Sequence, residues 1–375
     1  MERSISLRVG VVGCGLIAQV MHLPNLQRLA DRFRIEAVCD LSPRLVELVG
    51  NAFGVGRRST RWEDLLDEPL DAVLILTSGD HAPVAVAAAE AGCHVFVEKP
   101  LSLSVDEGHR MVRAASSRGV RLMVGYMKRH DPAYERLEEE VRATAGVRHA
   151  VVTTLESPWR PYVAHHWVLE RPGPEPAVDG LLARMREEED RRLAAAIGAD
   201  DPSLLGAYRA YLLDSMVHEF NLARALLGEP SAVEFASVRP EGVTAVMSFG
   251  RVQCVFSWVD LPGIARYRQE ISILAPERRL HLRFPSPYLR NAPTSLVIEE
   301  GEVGGTRSWE TSETVSFESA FERELLEFHA SIVEDREPRT PGVDGLRDVA
   351  LCAAVVRSHL AGGPVARPTR LPDEP

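Results

Sequence analysis

The chain has 375 residues, 45% of them hydrophobic and 26% charged, enough for two domains with a sizeable buried core. Its formal net charge of -11 repels a phosphate backbone or an anionic membrane surface on average, which excludes nucleic acid and membrane as expected partners, and no stretch reaches the roughly 20 apolar residues needed to cross a bilayer. Five scattered cysteines (Cys14, Cys39, Cys93, Cys254, Cys352) without CxxC spacing, and a start that lacks a signal-peptide apolar region, lead to the expectation of a reducing cytoplasm.

In chain order, the apolar run 7–12 ends in Gly13-Cys14-Gly15-Leu16-Ile17-Ala18 and leads into a helical stretch to about Leu29 and a strand over 33–39, a βαβ unit. A helix at 43–53, strand at 72–77, alanine-rich helix at 83–91, strand at 94–97, helix at 105–118 and strand at 121–125 continue the alternation, which predicts a doubly wound parallel sheet. After about Pro132 the pattern changes to a helix ending near Ala143, a strand at 147–155 and an irregular segment rich in Pro, Trp and His up to Pro176. A helix over 180–197 follows, and its charged run from Arg186 to Arg192 reads as solvated surface. The next helix is signalled by Asp201 as N-cap, Pro202 at the first helical position, and Gly228 then Pro230 beyond its end. Alternation at 243–249, 252–259 and 270–274 predicts an antiparallel sheet, and helices at 318–334 and 345–360 close the chain. The expectation is an α/β Rossmann domain over residues 1–128, then an α+β domain over 129–375 with a large, mostly antiparallel open sheet and a helical insertion at about 158–205.

The glycine loop lies between strand and helix, where Gly13 and Gly15 permit a tight turn and Leu16, Ile17 and Ala18 begin the helix whose N-terminal amides face a pyrophosphate. Asp40 ends the next strand and is placed to accept from ribose hydroxyls, which favours NAD over NADP, while Arg44 offers a competing grip on a 2′-phosphate. Thr77, at the end of the third long strand, joins the expected cofactor contacts. Of the 43 basic residues all but Lys99 and Lys128 are arginine. Lysine shifts its pKa readily when partly buried and arginine does not, so these two lysines mark places where the proton itself can matter; chance retention is the plain alternative.

The segments GCGLIAQVMHLPNL (13–26), DAVLILTSGDHAPVAVAAAEAGCHVFVEKPLSLSVDEG (71–108) and LMVGYMKRHDPAY (122–134) together resemble the Gfo/Idh/MocA oxidoreductases, with Glu98-Lys99-Pro100 as the specific element. The likeness resumes at DSMVHEFNLARALLGEP (214–230) and over 321–359. It implies hydride transfer between a nicotinamide and a carbinol carbon of a sugar or cyclitol. It also implies a second domain whose sheet lines the substrate cleft on one face and often forms an oligomer interface on the other, hence a homodimer or homotetramer. By the same resemblance Lys99 lies beside the nicotinamide and the substrate hydroxyl, Asp214 and His218 supply the acid/base pair, and His81 and Lys128 match positions near the cofactor or cleft. Two features depart from the family: Ala210-Tyr211-Leu212-Leu213 replaces a stretch that is often Gly-rich, and Asn221 stands where many members have Asp.

Independently of the family, Asp214, His218 and Asn221 at spacings of four and three project from one face of an ideal helix. Histidine titrates near neutrality and a carboxylate orients it, which suits collection of a hydroxyl proton; an ordinary surface pair has the same spacing. Trp159, Tyr162, His165, His166 and Trp167 resemble a sugar-binding lining, or equally a packed loop, and the adjacent histidines make poor joint metal ligands. No metal is expected. The same residues also admit a ketoreductase using reduced cofactor on a keto-sugar, and a non-catalytic dinucleotide sensor.

Overall fold

The computed structural model describes residues 5–67, 69–171 and 173–366. They separate into two compact units. The first comprises the chain through Tyr126, His166–Ala196 and Phe321–Val349; the second comprises Met127–His165, Ile197–Ala320 and the chain from Ala350 onward.

Among the described residues the first unit holds a six-stranded sheet in the order β3-β2-β1-β4-β5-β6, with every pairing parallel. The strands are β1 (Leu7–Val12), β2 (Phe33–Cys39), β3 (Arg57–Ser59), β4 (Ala72–Ile75), β5 (His94–Glu98) and β6 (Leu122–Gly125). β4 and β6 are buried along their whole lengths, as strands covered on both faces must be. The strand order reverses between β1 and β4, the crevice at which open α/β sheets bind ligands. Helix ends follow local chemistry: Ser42 caps Pro43–Phe53 by accepting from the Leu45 amide at 3.0 Å, and Gly54, at φ 69°, ends it in the left-handed region.

Helix Ala320–Val333 belongs to this unit because Leu325 and Phe328 are fully buried in the same core as Leu74, Phe96 and Met123. The rings of Phe96 and Phe328 meet edge to face at 5.6 Å, and burial of such a side chain contributes about 1.5–3 kcal/mol. Just beyond, Thr340 pins β6 by donating its hydroxyl to the Val124 carbonyl at 2.7 Å.

The second unit is built on a sheet in the order β14-β13-β12-β11-β7-β10-β9-β8-β15, nine strands among the described residues. These are β7 (His149–Glu156), β8 (Ala232–Arg239), β9 (Gly242–Phe249), β10 (Val252–Asp260), β11 (Arg268–Leu274), β12 (Arg278–Phe284), β13 (Ser295–Gly301), β14 (Ser308–Thr314) and β15 (Val365–Ala366). Neighbours are antiparallel except β7 and β10. Alternation sets the inner face: Val243, Ala245, Met247 and Phe249 of β9, and Cys254, Phe256 and Trp258 of β10, are buried. Phe220 of helix Val217–Leu227 meets Phe256 edge to face at 5.1 Å and seats that helix on this face.

Three sequence expectations change. The helix read as one element from Pro202 to Leu227 is α-helical over Pro202–Ala207, a π-helix over Tyr208–Met216 and α-helical again over Val217–Leu227. A second π-helix, Ala18–His22, opens the first helix of the dinucleotide loop. The charged run 186–192 is not simply solvated, since Glu189 is buried and Arg192 pairs with Asp80 and Glu107. Hydrophobic periodicity does not register an inserted π turn or a long-range ion pair, because both are set by what the helix packs against. Among the described residues no helix is long and apolar enough to cross a membrane.

Candidate active site

In the first unit the glycine turn is closed by sterics. Gly13 sits at φ 100°, and a Cβ there would come within 2.8 Å of both the Leu76 carbonyl carbon and the Thr77 nitrogen, so the turn lies against the end of β4. A Cβ at Gly15 would meet nothing within 4 Å, leaving beside the turn the open cradle that a pyrophosphate fills. Leu16 and Ile17 are half-buried, and Ala18 is fully buried under the turn.

Asp40 accepts from the Cys14 amide at 2.9 Å through Oδ2 and from the Ser42 amide at 2.9 Å through Oδ1. The backbone therefore holds the carboxylate still, and each oxygen keeps a lone pair for a ribose hydroxyl. Arg44 is exposed on the following helix. These residues fit a dinucleotide.

His81 joins two loops of this unit, with Nε2 2.7 Å from the Thr77 carbonyl and Nδ1 2.9 Å from the Pro100 carbonyl. It thereby fixes the turn after β4 to the Lys99-Pro100 peptide, which is cis. Glu98 turns its carboxylate inward: Oε1 lies 2.7 Å from His22 Nε2, and Oε2 accepts the Lys99 amide at 3.2 Å. Lys99 is half-buried at the carboxyl end of β5, so the Glu98–His22 pair orients its backbone from behind.

Glu324 completes a buried trio with His22 and Glu98, the one group among the described residues with three metal-ligand-type side chains within reach of each other. Neither carboxylate oxygen of Glu324 has a hydrogen-bond partner. Burial, reinforced by the charge of Glu98, pushes the Glu324 carboxyl well above the usual range. Burial likewise pushes the Cys39 thiol up to about 12, with the Asp40 charge adding to the effect, so this cysteine beside the dinucleotide turn is not a nucleophile.

Most of the other candidates lie in the second unit. Asp214 lies in the π-helical segment and is exposed, whereas His218 and Asn221, in the following α-helix, are buried at 8% and 1% exposure. The π-helical segment ends at Met216, between Asp214 and His218, so the two residues stand on helical segments of different pitch. Asn221 accepts from Arg129 Nη1 at 3.0 Å through Oδ1.

Lys128 is buried, and its ammonium donates to the Tyr267 hydroxyl at 3.2 Å. That hydroxyl donates to Gln269 Oε1 at 3.2 Å, and Gln269 Nε2 reaches Glu219 Oε1 at 3.4 Å. Thr154 donates to the same oxygen at 2.5 Å. Complete burial pushes the Glu219 carboxyl up to about 7, against the hydrogen bond from Thr154 and the charge of Lys128, while Glu156 adds to the rise. Burial also raises the Glu156 carboxyl, with Lys128 opposing and Asp214 and Asp260 reinforcing. The face is a cluster of carboxylates, a lysine and an amide, able to hold several hydroxyls and one mobile proton.

Tyr162 acts as a strut, donating to the Ala265 carbonyl at 3.2 Å and accepting the Tyr267 amide at 2.6 Å. Trp159 and His165 are exposed in the second unit; His166 is half-buried and Trp167 exposed in the first. Glu219, Thr154, Tyr267 and Gln269 were not singled out from sequence. A signal was present in the strands: Thr154 and Gln269 fall on the inward phase of β7 and β11, where Ala150, Val152, Ile271 and Ile273 are apolar and buried. A polar residue on an apolar phase needs a buried partner.

The family model for Gfo/Idh/MocA, described as an oxidoreductase family with an NAD-binding Rossmann fold, matches residues 7–126. Inositol 2-dehydrogenase 3 of Saccharopolyspora erythraea is 26% identical, with 99% of this chain and 98% of that protein covered. Levoglucosan dehydrogenase in complex with NADH superposes with a TM-score of 0.75 at 19% identity, covering 98% of this chain and 100% of its own. The WlbA dehydrogenase of Bordetella pertussis, in complex with NADH and UDP-GlcNAcA, gives 0.71 at 22% identity, covering 98% and 100%. The glycine turn with Asp40 and the Glu98-Lys99-Pro100 turn lie within the stretch 7–126 that matches the Gfo/Idh/MocA oxidoreductase family, and the nine-stranded second sheet lies beyond it, in the part of the chain covered by the full-length likenesses.

Proposed function

We propose that the protein is an NAD-dependent dehydrogenase that oxidises a carbinol carbon of a sugar, aminosugar or cyclitol. The observation that carries the reading is the buried polar face of the second unit, where Thr154, Glu219, Gln269, Tyr267 and Lys128 interlock. Such a face suits a polyhydroxylated ligand, since each hydroxyl both donates and accepts. The names of the relatives, an inositol dehydrogenase and a levoglucosan dehydrogenase, support the same substrate class. NAD is favoured over NADP because the Asp40 carboxylate opposes a 2′-phosphate.

Gly13, Gly15, Leu16, Ile17 and Ala18 would hold the pyrophosphate and Asp40 the ribose, with Thr77, His81, Glu98 and Lys99 shaping the nicotinamide end. When bound, the nicotinamide supplies the acceptor for the hydrogen leaving the carbinol carbon with its electron pair. His218 takes the hydroxyl proton, Asp214 stabilises the charged imidazole, and Lys99 steadies negative charge developing on the oxygen. Lys128 and Asn221, with Trp159, Tyr162, His165 and His166, are assigned to the substrate side. Self-association through the outer face of the second sheet is part of the same proposal.

The test is a screen of polyols, aminosugars and nucleotide sugars, with NAD and NADP, read by cofactor fluorescence. Turnover of a polyol with NAD is the expected result. Reduction of a keto-sugar with no oxidation of any alcohol refutes the assigned direction, and cofactor binding without turnover of any substrate refutes catalysis.

A further inference from the structure

The inserted segment is anchored along one edge of the first sheet. Residues His166–Ala196 belong to the dinucleotide-binding unit, and each of their polar anchors follows the carboxyl end of a parallel strand. After β1, Gln19 and Leu169 exchange amide hydrogen bonds, Nε2 to the Leu169 carbonyl at 2.9 Å and the Leu169 amide to Oε1 at 2.7 Å. The same Nε2 donates to the Cys14 carbonyl inside the glycine turn at 2.8 Å. After β2, the Ser42 hydroxyl donates to the carboxylate of Glu175. After β4, Asp80 receives Arg192 Nη1 at 2.6 Å, and that group also reaches Glu107 at 2.9 Å, in the first turn of the helix following β5. The insertion therefore runs along the edge at which an open α/β sheet binds its ligand.

Glu175 occupies the informative place on this path. It is buried at 8% exposure, immediately before helix Pro176–Ile197. Its partner Ser42 is the N-cap of the helix after β2 and stands two residues beyond Asp40. The Ser42 amide is held by Asp40 Oδ1 at 2.9 Å, so two carboxylates converge on one residue, Asp40 on its amide and Glu175 on its hydroxyl. An N-cap hydroxyl and first-turn amides are the donors a phosphate would seek here. In this chain the hydroxyl is already committed to Glu175, and the charge beside it is negative.

We propose that Glu175, supplied by the insertion, is a specificity-determining residue at the adenosine ribose that acts with Asp40 to exclude the 2′-phosphate of NADP. The inference rests on the reading of Asp40 as the ribose ligand of NAD. Two fixed carboxylates accept hydroxyl protons well and repel a phosphate dianion, and burial of Glu175 keeps solvent from screening the repulsion.

The test is equilibrium binding of NADH and NADPH to the full chain, read by nicotinamide fluorescence, for the wild type, Glu175→Gln, Glu175→Ala and Asp40→Ala. Gln retains the shape and an acceptor for Ser42 while removing the charge, so the fold is preserved; Ala removes both. The expected result is a rise of about tenfold or more in the ratio of NADPH to NADH affinity in both Glu175 variants. A ratio within about twofold of wild type in both variants overturns the role of Glu175 while leaving Asp40 untouched. Unchanged NADH affinity in Asp40→Ala, or a wild type that prefers NADPH, overturns the NAD reading itself and this assignment with it.

Discussion

Glu219 carries an ionisation cost that can be measured apart from catalysis. Its carboxyl is completely buried and pushed up to about 7, from an ordinary value of 4.5 in the unfolded chain. An acid raised in this way contributes fully to stability below the unfolded value and loses that contribution as pH rises through the folded value. The rise to about 7 corresponds to roughly 3 kcal/mol, most of it, about 2 to 3 kcal/mol, developing between about pH 5 and about pH 8.

Glu219→Gln removes the titration. It places an amide nitrogen where one carboxylate oxygen has no hydrogen-bond partner, a cost of about 1–3 kcal/mol that is the same at every pH. The diagnostic quantity is therefore the change with pH: the stability of the variant relative to wild type is expected to rise by about 2 to 3 kcal/mol from about pH 5 to about pH 8. Urea denaturation followed by tryptophan fluorescence reads it, because Trp159, Trp258 and Trp309 all lie in the second unit. A stability difference that stays flat across this range refutes the raised pKa of the Glu219 carboxyl.

Three further outcomes follow from the site. His218→Ala is expected to lower kcat by about 10² to 10⁴ with NADH binding retained, and near-normal turnover at saturating cofactor removes it as the base. Lys99→Arg keeps the positive charge but replaces a compact, titrating ammonium with a bulkier, non-titrating group; a severe loss of kcat is expected, and intact turnover shows that charge alone is required. Gly13→Ala brings a Cβ to 2.8 Å from backbone atoms of Leu76 and Thr77 at a φ of 100°, where neither neighbour is the end of a flexible side chain. It is expected to destabilise the first unit by more than about 2 kcal/mol and to weaken NADH binding, and a thermal melt superimposable on wild type counts against the close-packed turn.

The parallel sheet was legible because local chemistry and tertiary environment agree there. Strand β2 runs over Phe33–Cys39 and the next helix over Pro43–Phe53, both as read from the sequence, and the structure adds the Ser42 cap and the left-handed Gly54 at the helix ends. The helical region that carries Asp214 and His218 was less legible. Asp201, Pro202 and Gly228 located its ends, yet the π-helix over Tyr208–Met216 between two α-helical segments went unread, because no local propensity encodes that change of pitch. Strands β14 and β15 were also missed: the outer strand Ser308–Thr314 presents mostly exposed polar side chains, and the other is two residues long, so neither carries an alternating pattern.

By itself the sequence determined the dinucleotide turn, the carboxylate at the end of β2, the Glu98-Lys99-Pro100 element and the alternation of the second sheet. Each of these is written in residues adjacent in the chain or repeating at a short period. Only the tertiary structure decided that residues 166–196 and 321–349 join the first unit, that Glu98 faces His22 and Glu324, and that Glu175 reaches Ser42. Those outcomes depend on which buried polar groups find each other across separations of up to more than 200 residues, and burial, which makes an unpaired polar group costly, is a property of the folded chain rather than of any local segment.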